Sequence, residues 1–278
     1  MGRVIGGIGS SHAPTIGAAF DKGEKAEPFW KPLFQAYEPA KDWLDRVRPD
    51  VAVVLYNDHM NSFFFDAYPT FAVGVGELHP QADEGFGKRD LPDLPGHPKL
   101  AWHLVEAMVA DEFDPTICQQ LRVDHGILSF LPLLFERPWP VPVVPLAVNV
   151  IQHPVPTARR LFRLGQSLGR AIRAYPEDLK VVVLGTGGLS HQLQGRRFGF
   201  VNPDWDNEFM DLLEREPERL AALDARAYME RGGTEGIEMI MWLGMRAALG
   251  ERVARVHRNY YAPLTTGYGL LVLESRAG

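Results

Sequence analysis

The chain has 278 residues, 46% of them hydrophobic and 23% charged, a formal net charge of −6 and a single cysteine, Cys118. Such a chain can bury a sizeable core, its acidic balance without any long Lys/Arg run argues against a nucleic-acid partner, and one cysteine excludes an intrachain disulfide and gives secretion no support. No stretch reaches the ~18 apolar residues of a membrane span and "MGRVIGGIGSSHAP" lacks the apolar run of a signal peptide, so a cytoplasmic protein with no membrane partner is expected.

In chain order, short runs rich in Val, Ile and Leu alternate with segments of helical spacing. Arg3–Ile8 reads as a strand and Trp30–Val47 as a helix, with Leu33, Phe34, Tyr37, Trp43 and Leu44 on its apolar stripe. Val51–Tyr56 and Thr70–Val75 read as strands, Lys99–Ala110 and the shorter His125–Phe135 as helices, and Val141–Val150 as a strand. Thr157–Ala174 reads as a helix, Val181–Gly185 as a strand, Asn207–Leu223 and Thr234–Leu249 as helices, and Gly269–Glu274 as a last strand. The strands show little alternation, the pattern of strands buried on both faces. Strands alternating with helices imply a layered α/β domain with helices on both faces. Nothing divides the chain, so one domain over 1–278 is expected. The loop Gly76–Pro98, rich in Pro, Gly and Asp, is long enough to suggest a function of its own, a lid or a subunit contact.

Three strands end on a histidine. His12 closes "IGGIGSSHAP", His59 closes "VVLYNDHM" and His191 closes "VVVLGTGGLSH"; His125, in "RVDHGI", precedes a helix. In open α/β sheets ligands bind beyond the carboxyl ends of the strands, so these imidazoles could meet. A lone histidine after a strand is more often a hydrogen-bonded loop residue; of the others, His79, His97 and His153 sit beside prolines in loops, His103 is on a helix and His257 in a charged stretch, and none of these reads as a site residue. Glu238 is the second oddity. It is the one charged residue between Gly236 and Met245, on a stripe with Met241, Trp242 and Met245, in a helix for which Thr234 would be the N-cap. A buried acid is costly unless paired or bound to a metal. Two imidazoles and a carboxylate with open positions suit non-haem Fe(II) and also zinc; residue types alone leave both open.

The motifs carry a resemblance. "GIGSSHAPTIGAA", "LYNDHMNSF", "PTFAVG", "QADEGFGKRDLPDLPGHPKLAWHL", "DEFDPTI", "VDHG", "LAVNV", "YPEDLKVVVLGTGGLSHQLQG" and "GTEGIEMIMWLGMRAAL" follow one another between about residues 3 and 260. In these the chain resembles the class III, LigB-like extradiol ring-cleaving dioxygenases, the group of the catalytic β subunit of protocatechuate 4,5-dioxygenase. The resemblance implies an α/β sandwich around a central, mostly buried mixed sheet. It implies Fe(II) held by His12, His59 and Glu238, with His191 as the acid–base residue. It gives His125 a role either behind the metal ligands or in contact with the substrate, and sets Asn57 in the metal pocket. The substrates it implies are O₂ and a catecholic aromatic acid, the reaction is ring opening in aromatic, lignin-derived catabolism, and the assembly is a homo-oligomer such as a dimer or a complex with a small α subunit. One departure matters. Protocatechuate enzymes carry a Ser-Asn pair about where Leu264–Thr266 stand here, so Thr265 and Thr266 are the candidates for the ring carboxylate. The substrate is then protocatechuate, gallate, 3-O-methylgallate or a larger catechol. A zinc-dependent hydrolase and a catalytically inactive scaffold are the competing readings.

Overall fold

The computed structural model describes residues 1–276. Strands β1 (Arg3–Ser10), β2 (Val51–Tyr56) and β3 (Phe71–Gly74) come first, then two short strands, β4 (Leu78–His79) and β5 (Leu94–Pro95), that pair only with each other. Strands β6 (Thr116–Cys118), β7 (Val143–Val148), β8 (Lys180–Thr186), β9 (Val253–Tyr261) and β10 (Tyr268–Ser275) complete an eight-stranded sheet in the order β6-β3-β7-β2-β8-β1-β10-β9. The central strands β7, β2, β8 and β1 are mutually parallel. β10 and β9 are antiparallel additions at one side, and β3 runs antiparallel to β7. The sheet is therefore mixed, and the carboxyl ends of β1, β2 and β8 share one edge.

The helices are α1 (Pro14–Asp21), α2 (Lys31–Val47), α3 (Pro98–Ala110), α4 (His125–Leu128), α5 (Leu131–Leu134), α6 (Ala158–Ala174), α7 (Pro203–Arg215), α8 (Pro217–Ala221), α9 (Ala225–Gly232) and α10 (Met239–Ala248). The pleat of β2 divides them into two layers. Val51, Val53 and Leu55 join Leu104 of α3, Leu164 of α6 and Trp242 of α10 in one core. Ala52, Val54 and Tyr56 join Ile16 of α1, Trp43 of α2 and Ile127 of α4 in the other. Successive side chains of a strand face opposite sides. With helices on both, every residue of β2 is buried, which is why its sequence does not alternate.

Three expected helices differ in detail. The segment expected as one helix from His125 to Phe135 is two short ones, because Pro132 lacks the N–H that would continue the first. The Asn207–Leu223 helix starts earlier, capped by Asn202, and breaks before Pro217 for the same reason. Thr234 is no cap: its backbone is helical and its side chain makes no capping hydrogen bond. Residues Glu235–Glu238 form a 3₁₀ turn, and α10 begins after it.

Candidate active site

β1, β2 and β8 lead into His12, His59 and the Gly187–His191 turn at the shared edge. The fourth side chain arrives from the other direction. Glu238 ends the 3₁₀ turn ahead of α10, and Gly187 makes room for it. Gly187 has φ 129, and a Cβ there would lie 2.7 Å from Glu238 Cβ. Trp242, one turn further along α10, donates from its indole to the Gly187 carbonyl at 3.1 Å. So the turn that carries His191 is packed against the turn that carries Glu238.

His12 is 2% exposed and Glu238 6%. His12 Nε2 lies 3.3 Å from Glu238 Oε2, His191 Nε2 lies 3.7 Å from the same oxygen, and His59 Nε2 lies 3.9 Å from Oε1. Each imidazole is held from its far side. His59 Nδ1 faces Asp124 Oδ2 at 3.2 Å, and because a carboxylate only accepts, that nitrogen carries a hydrogen and Nε2 is the ring atom turned toward Glu238. His191 Nδ1 likewise donates to the Leu189 carbonyl at 2.8 Å, leaving its Nε2 bare. His12 Nδ1 meets Thr186 Oγ1 at 2.9 Å. His12 Nε2 is buried and has no hydrogen-bond partner. A buried imidazole nitrogen without a partner, aimed at a carboxylate, fits a cation between them. His12, His59 and Glu238 can each place one ligand atom so that all lie within 4.8 Å of one another. Asn57 is fully buried behind this group, its amide nitrogen 3.0 Å from His59 Nε2 and 3.4 Å from Glu238 Oε1.

The electrostatics match. Burial alone would lift the Glu238 carboxyl, but the imidazoles of His12, His191 and His59 more than offset it and hold the group well below the usual carboxylate range. Burial pushes His12 down against the pull of Glu238. Burial acts the same way on His59, yet Asp124, then Glu238 and Glu84, hold it up at about 9. Metal binding displaces the proton from a ligand nitrogen, so a cation here would take the place of the one on His59.

Above this group lies a cavity of about 370 Å³, lined by the four histidines together with Thr15, Glu235, Leu264, Thr265, Thr266 and Tyr268 among others. Its size is that of a small-molecule pocket. His191 and Thr266 are bridged in antiparallel fashion, which sets the threonine beside the imidazole. His125 completes one wall, its ring centroid 3.7 Å from that of His59.

Residues 6–271 match the family described as the catalytic LigB subunit of aromatic ring-opening dioxygenase. The chain belongs to the LigB family. It is 49% identical over 197 residues to a gallate dioxygenase of Pseudomonas putida, a match covering 70% of this chain and 58% of that protein's length. It is 27% identical over 305 residues to a 2,3-dihydroxyphenylpropionate/2,3-dihydroxicinnamic acid 1,2-dioxygenase of Photorhabdus laumondii, covering 92% of each. An uncharacterized protein of Escherichia coli K12 shares the fold, with TM-score 0.60 at 16% identity over 98% of this chain and all of that one. Among the described residues, no helix of this LigB chain is long and apolar enough to cross a membrane.

The structure also brings in residues that sequence reading passed over. Asp124 is fully buried and accepts from the His59 backbone N–H at 2.6 Å and from Asn61 Nδ2 at 3.0 Å. Its position two residues before Gly126, whose N–H it caps at 2.9 Å, was the available signal, but that marks a helix start and not a partner of His59. Glu235 stands one 3₁₀ turn before Glu238 on the same face, lines the cavity and accepts from the Leu193 N–H at 3.2 Å.

Proposed function

We propose that this chain is an Fe(II)-dependent extradiol dioxygenase that opens the ring of a carboxylated catechol with O₂, residues 1–278 forming one catalytic domain. The observation that carries the reading is the partnerless Nε2 of His12 facing the carboxylate of Glu238, beneath a ring-sized cavity in a LigB-family chain. In this reading His12, His59 and Glu238 hold the iron, and a set of two imidazoles and one carboxylate leaves positions open for substrate and oxygen. Bound there, Fe(II) would supply a common site for catechol and O₂ and a path for electrons between them.

The remaining chemistry belongs to the protein. His191, locked with its hydrogen on Nδ1, offers the Nε2 lone pair to a substrate hydroxyl; it takes that proton on binding and returns it as the ring opens. His125 stacks on His59 and faces the substrate, and Asn57 steadies the metal ligands from behind. No lysine or arginine lines the cavity among the described residues. The ring carboxylate is therefore held by neutral donors, the hydroxyls of Thr265 and Thr266 and nearby backbone N–H groups. Protocatechuate, gallate, 3-O-methylgallate and related lignin-derived catechols all present such a group, and the likeness to a gallate dioxygenase favours gallate. Leu193 and Leu264 line the cavity while being 51% and 44% exposed, an apolar rim suited to cover by a second copy or a small α subunit in a cytoplasmic assembly.

The test is anaerobic loading with Fe(II) followed by oxygen uptake on a panel of catechols, with metal analysis. Stoichiometric oxygen consumption with a ring-opened product is expected. His191→Ala should keep its iron and lose about 10²–10⁴-fold in turnover. Bound zinc with hydrolysis and no oxygen uptake would mark a hydrolase, and no turnover with any metal would mark an inactive scaffold; either ends the proposal.

A further inference from the structure

The long loop between β3 and α3 reaches the site through one carboxylate. Its first arm lies along residues 121–123: Ala82 N–H donates to the Val123 carbonyl and Val123 N–H to that of Pro80, both at 2.9 Å. This sets Glu84 against the start of α4. Glu84 Oε1 accepts the His125 backbone N–H at 2.9 Å, and Oε2 faces Nδ1 of the same residue at 2.5 Å. The far arm is pinned by Arg89, whose guanidinium grips Asp21 through Nε at 2.6 Å and Nη2 at 2.8 Å and also reaches the carbonyls of Gly17 and Leu128. Between these anchors the tip is closed on itself by Asp83, which accepts from the Gly85 and Gly87 N–H groups, and it leaves Phe86 99% exposed. The loop is thus a braced wall, and what it presents inward is Glu84.

A carboxylate only accepts hydrogen bonds. Glu84 therefore fixes the hydrogen of His125 on Nδ1 and leaves the lone pair on Nε2, while its second oxygen holds the backbone of the same residue. The His125 ring lines the cavity and stacks at 3.7 Å on that of His59, so its plane and its tautomer both matter to what the substrate meets. We propose that Glu84 is a positioning residue of this site: it orients His125 and selects the tautomer whose Nε2 accepts a hydrogen bond from the substrate side. The proposal rests on the ring-opening reading for its kinetic consequence, but not for its structural one.

Glu84→Gln separates the two roles at nearly constant volume. The amide oxygen can still accept from the His125 N–H, but its NH₂ then faces Nδ1 and drives the ring hydrogen to Nε2. Nitrogen-15 spectra of metal-free protein labelled at histidine read the tautomer directly. Wild type should carry the His125 hydrogen on Nδ1 and Glu84→Gln on Nε2, with Glu84→Asp restoring the wild-type form. In the Fe(II)-loaded protein, Glu84→Gln and Glu84→Ala should lower kcat about 10–100-fold, the scale of losing a partner that orients a site imidazole, with iron content and KM little changed. Phe86→Ser, on the same loop, should match wild type. An unchanged nitrogen pattern in Glu84→Gln overturns the proposal, as does loss of iron in step with turnover, which would make Glu84 a support of the ligands. If wild type opens no ring, the functional reading fails while the spectra still judge Glu84. If Glu84→Ala does not fold, Glu84→Gln decides alone.

Discussion

His79 has no exposed surface, and the Cβ positions of Gly74 and Gly96 come within 3 Å of its ring, so no larger residue could stand at either. Burial drives its pKa from the ordinary 6.5 to about 4, and neither ring nitrogen has a hydrogen-bond partner. A folded-state pKa below the unfolded one means that the unfolded chain takes up a proton first as pH falls. The stability this neutral imidazole contributes is complete above pH 6.5, drains away between 6.5 and about 4, and amounts to about 3 kcal/mol. Urea midpoints measured from pH 7.5 to 4 should fall more steeply in wild type than in His79→Gln; parallel curves would show that His79 is solvated. Side chains of this kind explain where sequence reading succeeds. His12, His59 and His191 were legible because each follows an apolar run that can only be a strand, so strand direction alone predicts their shared edge. Glu84 was not legible, because its meaning lies in contact with His125, 41 residues away. His79 read as a loop residue for the same reason: its burial comes from the glycines around it.

At the scale of elements, the position of Glu238 depends on α10, and α10 is set by α6. The two helices cross at glycines. A Cβ on Gly165 would sit 2.1 Å from the Gly244 carbonyl oxygen and 2.8 Å from Ala247 Cβ. Two effects oppose each other in Gly165→Ala. Helix propensity favours alanine by about 1 kcal/mol, whereas forcing an atom against a backbone that cannot swing aside costs about 1–3 kcal/mol, sometimes more. With the clash at the upper end of that range against a backbone oxygen, it should win, giving a net loss of up to about 2 kcal/mol in denaturant unfolding. Because α10 follows directly on Glu238, metal affinity should fall as well. A more stable variant would mean that the helices do not touch at this point. The elements that sequence patterning missed are those with weak patterns. β9 is an edge strand with no fully buried residue, α9 buries only Tyr228 and Gly232, and β6 has three residues. Strands buried on both faces announce themselves; edges do not.

Across the whole molecule, a bound cation would tie together the ends of β1 and β2 and the turn before α10. His59 belongs to two groups able to hold one: with His12 and Glu238, or with Asp124 and His125. The second group is already committed. Asp124 accepts from two backbone N–H groups and the Asn61 amide while facing His59 Nδ1, and His125 Nδ1 faces Glu84. In the first, His12 Nε2 is buried without a hydrogen-bond partner. An ion in the second group would have to break the hydrogen bonds that hold Asp124 and His125, whereas an ion in the first displaces only the Asn57 amide from His59 Nε2 and satisfies the buried His12 Nε2. Since the unfolded chain lacks the site, Fe(II) at a hundredfold excess over its Kd should stabilise the fold by about 2.7 kcal/mol. With an unfolding entropy of about 2.1 cal/mol/K per residue, that raises the melting temperature of a chain this long by about 5 °C. Under anaerobic conditions wild type and His125→Ala should both show that shift, whereas His12→Ala and Glu238→Gln should melt at the same temperature with and without the metal. The reverse pattern, a shift kept in Glu238→Gln and lost in His125→Ala, would move the ion to the Asp124 side of His59.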